Sequence, residues 1–181
     1  MKLASMSLIA FLGSMVVADD VFLSAAKSMY DYGNWPSGAE RNVYVSTNWI
    51  PNIDIDVPDN GHIVTNTGVN SVRLMVFHGN IQAMEVRATQ FSSSDEAKNR
   101  MIHFLADSSS GEPFARGTND WNAIGDLCYL RNLTTNSPIC VFYYGNVLGT
   151  VLSDDQRYPA PAIARKLYAE IQSRPTPDSN P

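Results

Sequence analysis

Sliding the 181-residue chain against itself by 66 positions brings Asn66, Asn70, Ser71, Gly79 and Asn80 onto Asn132, Asn136, Ser137, Gly145 and Asn146 without a gap. Apolar positions follow the same offset: Val76 with Phe142, Phe77 with Tyr143, Ile81 with Val147, Val86 with Leu152, Ala97 with Ile163, Met101 with Leu167 and Leu105 with Ile171. Two copies are too few for a solenoid, whose units bury their faces on successive neighbours. The repeat therefore predicts a single α+β domain in which two βββα copies, about 60–106 and 126–172, pack about a pseudo-twofold axis.

Within a copy, clusters of turn residues separate short runs rich in β-branched and aromatic residues, which predicts antiparallel meanders. The first copy reads as strands at about 61–65, 71–78 and 81–87. Gly79-Asn80 and Gly145-Asn146 are two-residue hairpin turns, with glycine supplying the positive φ that a type II′ turn needs first. Ser93 precedes Glu96 at capping-box spacing, and Ala97, Met101, Phe104 and Leu105 recur on one face of the helix that follows. The second helix opens at Pro159–Pro161 and carries Ile163, Ala164, Leu167, Tyr168 and Ile171. In the central strand Val72, Leu74 and Val76 alternate with Met75 and Phe77, so both sheet faces are expected to be covered, although one helix per copy covers only one. Residues 19–32 hold a short helix through Phe22, Leu23, Ala26 and Met29, residues 107–120 read as a linker, and the Pro-rich 173–181 as a disordered tail.

Lys2 followed by an apolar run from Leu3 to Val17 is the pattern of a signal peptide, and Val16-Val17-Ala18 before Asp19-Asp20 predicts cleavage after Ala18. The single domain then spans 19–172, exported to the periplasm or fully secreted. No later apolar run is long enough to span a bilayer, so the protein is not expected to be membrane-embedded. With Lys plus Arg at 13 against Asp plus Glu at 18, a net charge of -5 gives no handle on a phosphate backbone and excludes nucleic acid as a partner class.

Cys128 and Cys140 lie symmetrically about Thr134, the centre of a predicted hairpin loop. They are expected to face each other as a cross-strand disulfide, worth about 2–3 kcal/mol in an exported chain. Their counterparts in the first copy are His62 and Leu74. His62, His78 and His103 show no metal-ligand spacing, Asp54 with Asp56 and Asp154 with Asp155 read as solvated acids, and no nucleophile or phosphate-loop motif occurs. No metal or cofactor is therefore predicted. Tyr30, Tyr32, Trp35, Trp49 and Trp121 lie in Gly-, Pro- and Asn-rich segments, where rings either plug a core or line a binding surface. Trp121, Asp126 and Tyr144 are the candidate ligand-binding set, since a loop ring, a turn carboxylate and a hairpin-tip phenol can share one edge. Asn132-Leu133-Thr134 is a glycosylation sequon, meaningful only in a eukaryotic secretory pathway.

Ile124-Gly125-Asp126-Leu127-Cys128-Tyr129, then Val141-Phe142-Tyr143-Tyr144-Gly145-Asn146-Val147, then a closing helix with Ala164, resembles a recurring segment of small exported bacterial sensor-like and lipoprotein-like domains. That segment often reads I-G-D-x-A-Y or W, a turn, V-x-F-x-x-G-N-V and a closing helix. The resemblance covers about 121–172, with Cys128 in place of the usual Ala. No cysteine stands at the start of the predicted mature chain to take a lipid. The resemblance implies an α+β extracytoplasmic domain that binds something in a cleft. The leading expectation is a non-enzymatic ligand-binding or sensing domain for an unidentified small molecule, peptide or protein. Its discriminating feature would be a groove between the copies lined by loop aromatics. The alternatives are an assembly or inhibitor-type protein that dimerises through an apolar sheet face, and a hydrolase using His78 or His103 with a nearby carboxylate.

Overall fold

The computed structural model describes residues 21–38, 43–45, 48–108, 113–117, 123–131 and 138–174. Helix α1 covers 21–29. Strands β1 (Gly61–Gly68), β2 (Ser71–His78) and β3 (Ile81–Gln90) lead into helix α2 (Ser94–Ser108). Strands β4 (Ala115–Arg116), β5 (Leu127–Arg131), β6 (Ile139–Tyr144) and β7 (Val147–Ser153) lead into helix α3 (Ala160–Gln172). One seven-stranded antiparallel sheet has the order β1-β2-β3-β7-β6-β5-β4, so the fold is α+β and the two halves join through β3 and β7. The expected linker supplies β4, an edge strand, and buries Phe114.

Elements recur close to the 66-residue offset, but the two helices lie on opposite faces of the sheet. Ile139, Val141 and Tyr143 point into the cluster that holds α2, and Cys140, Phe142 and Tyr144 into the cluster that holds α3. Two antiparallel neighbours can be related only by a twofold axis normal to their sheet, which keeps both helices on one side. The expected pseudo-twofold of equivalent copies therefore does not describe this arrangement. A β-bulge is the physical reason. Between β2 and β3, Phe77 faces Gln82 while Val76 faces Met84, which leaves Ala83 as an extra residue. Between β6 and β7 the register runs without interruption. One extra residue turns every later side chain to the other face. Met84, Val86 and Ala88 therefore enter the α3-side core, whereas Leu148 and Leu152 of β7 face α2.

Because α2 and α3 sandwich β6, that strand is buried on both faces and its sequence, Ile-Cys-Val-Phe-Tyr-Tyr, is apolar or aromatic throughout. The hairpin turns hold: Gly79 and Gly145 have φ of 59° and 52°, with no positive φ at either following asparagine. Ser93 Oγ accepts the Glu96 N–H at 3.2 Å, and the Glu96 carboxylate reaches back to Ser92. In α2, Ile102 rather than Phe104 joins Ala97, Met101 and Leu105 in the core. In α1, Ala26 is buried while Phe22 and Met29 are exposed.

The loop aromatics plug cores. Tyr30 and Trp35 pack with Tyr129 and Tyr143 on the α2 side, and Trp49 fills the α3 side with Val43, Val45 and Ile53. That segment closes the α3-side face over β2 and β3. On the α2-side face Met75 is buried, Val64, Arg73 and Phe77 are half-buried and His62 is exposed, and none of them belongs to the cluster that holds α2.

The cysteine register also differs from expectation. Cys128 faces Phe142 and Cys140 faces Leu130, two residues out of direct opposition. Both are buried and they are not joined by a disulfide. Burial pushes both thiols up, that of Cys140 well up. The predicted signal peptide and its cleavage site, Trp121, the Asn132 sequon and positions 175–181 of the tail lie outside the described residues.

Candidate functional site

The α2-side face of the two joined strands is built from three successive cross-strand pairs: Glu85 with Leu152, Arg87 with Thr150 and Thr89 with Leu148. These pairs, with Phe91 beyond them, floor a groove of about 420 Å³, within the usual range for a small-molecule site. The wall is α2. Arg100, His103, Phe104 and Asp107 stand at i, i+3, i+4 and i+7, a stripe beside the one that α2 buries. The groove lies where the halves meet, and its rings are Phe91 and Phe104 rather than the expected loop aromatics.

Glu85 sets the groove's charge. It is buried, yet its carboxylate accepts from Arg73 Nη2 at 2.5 Å and Arg87 Nη2 at 2.9 Å. Burial pushes its carboxyl up, but the Arg73 hydrogen bond and the two guanidinium charges outweigh that and hold it below the usual carboxylate range. Two cations thus flank one anion. Arg100 and His103 add donors at the rim, against the single further acid Asp107.

A second cavity, of about 450 Å³, opens beside the start of α3, between Asp54, Asp56 and Pro58 on one side and Arg157, Tyr158 and Lys166 on the other. Its long polar side chains are already used by the fold. Lys166 donates to the Asp54 carbonyl at 2.6 Å, Tyr158 to the Asp56 carbonyl at 2.9 Å, and Arg157 grips Asp155 through Nε and Nη2. The Arg157 hydrogen bonds hold the Asp155 carboxyl down at about 2.

His78 joins this network, and its geometry decides its role. Nδ1 lies 2.6 Å from Arg157 Nη2, and Nε2 lies 3.1 Å from the Tyr158 hydroxyl. The Tyr158 hydroxyl donates a hydrogen bond to the Asp56 carbonyl. Although Asp155 lies 3.2 Å from Nδ1, both ring nitrogens are engaged, and a general base needs an open lone pair. The cluster latches the β2–β3 hairpin to the loop before α3. His103 makes no hydrogen bond to a carboxylate among the described residues, and His62 stacks on Phe77 at 5.1 Å. Of the two histidines named for hydrolysis, only His78 lies against a carboxylate, that of Asp155.

Of the predicted binding set, Trp121 lies outside the described residues, and Asp126 and Tyr144 are held by the fold. Asp126 accepts the Gly145 N–H at 2.7 Å and donates its own N–H to the Tyr143 carbonyl at 2.8 Å, which pins β5 to the β6–β7 turn. The preceding Gly125 has φ of 70°, and a Cβ there would lie 2.3 Å from the Tyr143 carbonyl oxygen, so that turn requires glycine. Tyr144 is buried on the α3 side against Tyr168, with ring centroids 5.2 Å apart. Neither residue lines either cavity. Apart from His103, named for hydrolysis, and Phe104, named for the core, the groove residues are not singled out by the sequence, because polar strand and helix positions read as solvated surface. The stripe Arg100, His103, Phe104, Asp107 was the available signal.

Among the described residues no three His, Cys, Asp or Glu side chains cluster to hold a metal ion, and no helix is long and apolar enough to cross a membrane. No protein-family profile matches the chain, and no curated protein aligns with it.

Proposed function

We propose that the chain is a non-enzymatic binding domain, working outside the cytoplasm, whose α2–β3–β7 groove seats a small amphipathic anion. The observation that carries this is one groove that sets apolar side chains, Leu148, Leu152 and Phe91 on its floor and Phe104 on its wall, beside the donors Arg87, Arg100 and His103. An acyl or aryl body would lie on the floor while a carboxylate met the rim, a charge-assisted contact that fixes orientation. The seat rests on paired strands and a helix, which hold a site more rigidly than loops. The second cavity spends its donors on the Asp54 and Asp56 carbonyls and on the Asp155 carboxylate, which favours the groove. The halves are read as a duplicated βββα unit whose first copy takes up a bulge at Ala83, and the groove opens because that bulge sent the helices to opposite faces.

The test is a titration of ¹⁵N-labelled protein with octanoate and with octanamide, its uncharged counterpart. Expected are saturable shifts along 85–91, 100–107 and 148–152, binding of octanamide at least tenfold weaker, and a similar loss for octanoate in Arg100→Gln. His103→Trp, a surface change at the groove mouth, should also block binding. Equal binding of the two probes, or shifts confined to 157–166, would overturn the assignment.

A further inference from the structure

Strand β1 is one edge of the sheet, and its hydrogen-bonding phase is fixed by its neighbours. The Gly79 N–H donates to the Asn60 carbonyl at 3.0 Å, and these residues continue the register in which His62 faces Phe77 and Val64 faces Met75. Directly opposed residues that exchange hydrogen bonds recur at every second position. The backbone groups of His62, Val64 and Asn66 are therefore spent on β2, and those of Ile63, Thr65 and Thr67 point away from the sheet. Gly61, next in that outward series, already donates to the Pro58 carbonyl at 2.7 Å. Among the described residues nothing bonds the outward groups of Ile63, Thr65 and Thr67.

Edge strands are normally blunted by lysine, proline, a bulge or short length. At eight residues, Gly-His-Ile-Val-Thr-Asn-Thr-Gly, β1 has no Lys, Arg, Asp, Glu or Pro, and its register with β2 is uninterrupted. The opposite edge, β4, is two residues long and carries Arg116. In a chain with a net charge of -5, β1 is a neutral stretch on which two copies meet without like charges in opposition. Its outward groups are also self-complementary. An antiparallel pairing centred on Thr65 sets Thr65 against itself and Ile63 against Thr67 of the partner subunit, so each outward N–H finds a carbonyl. Paired threonines are favourable cross-strand neighbours.

We propose that two copies of this chain dimerise through β1, antiparallel about a twofold axis at Thr65, to form one continuous sheet. The contact is isologous, and with β4 blunted it closes at two.

The test is sedimentation of the full chain over rising concentration, with an expected shift from 19.9 kDa to twice that mass. Thr65→Pro removes only an outward N–H, a position at which an edge tolerates proline, and Thr65→Lys places two cations on the axis. Both should raise the dimer dissociation constant at least tenfold with circular dichroism unchanged. If the proline variant fails to fold, the lysine variant decides alone. Thr65→Cys should cross-link to itself under mild oxidation, since opposed residues at such sites lie about 5.5 Å apart, whereas Thr67→Cys alone should not. A wild-type monomer at all concentrations, a dimer unaffected by Thr65→Lys, or growth into larger assemblies would overturn the proposal.

Discussion

Asn146 shows how one side chain can carry different duties in two copies of a motif. Asn80, its counterpart at the first hairpin, is exposed. Asn146 is buried: its Oδ1 accepts the Val43 N–H at 2.7 Å, and its Nδ2 donates to the carbonyls of Phe91 at 3.0 Å and Val43 at 3.3 Å. Its own carbonyl takes the Phe91 N–H at 2.8 Å. The side chain therefore satisfies both polar groups of Val43 at the point where residues 43–45 cross the sheet end. Asn146→Ala removes these partners from groups that stay buried, so it should cost about 2–4 kcal/mol in urea unfolding, while Asn80→Ala should stay within about 0.5 kcal/mol. Equal effects at the two sites would show that the clamp is not what holds the segment. The sequence marks both asparagines as turn residues; what separates them is contact with a segment more than 100 positions earlier, which no local pattern encodes.

At the scale of elements, what was legible is what short-range rules determine. The β2 boundaries, the glycine-first turns, the Ser93 cap and the start of α3 all follow from residues within a few positions of one another. The bulge at Ala83 does not. In Ile81-Gln-Ala-Met-Glu-Val86 the alternation is broken by the adjacent Ala83 and Met84, and both settle in the α3-side core. Which phase the strand adopts beyond that point is decided by pairing with β7. The candidate site depended on that choice, since Glu85, Arg87 and Thr89 floor the groove only in the shifted phase. The cysteine register differs for a related reason: symmetry about Thr134 assumes a loop centred there, and β5 and β6 pair in a register whose midpoint is one residue later, so the partner of Cys128 is Phe142 rather than Cys140. With both thiols buried and pushed up, the folded protein should react with Ellman's reagent orders of magnitude more slowly than a free thiol, and should yield two thiols on unfolding without reductant. Fewer than two would mean that β5 slides by two residues to let a bridge form.

For the whole molecule, stability should grade across the sheet from β6 outward. β6 is covered on one face by α2 and on the other by α3, whereas β1 is an edge strand among the described residues and none of its residues joins the clusters that hold α2 and α3. Segments with few buried apolar contacts open with little free energy, and those sealed on both sides open only with the whole fold. Native-state hydrogen exchange should therefore find Val141, Phe142 and Tyr143 among the slowest amides, with β2 and β3 intermediate. In β1 the pattern should alternate, with His62, Val64 and Asn66 weakly protected through β2, and Ile63 and Thr65 exchanging near the unfolded rate in dilute solution. Protection of Ile63 and Thr65 as the protein is concentrated, with β6 unchanged, would follow from edge pairing. Rates in β1 as slow as those in β6 under dilute conditions would show instead that the edge is covered within one chain.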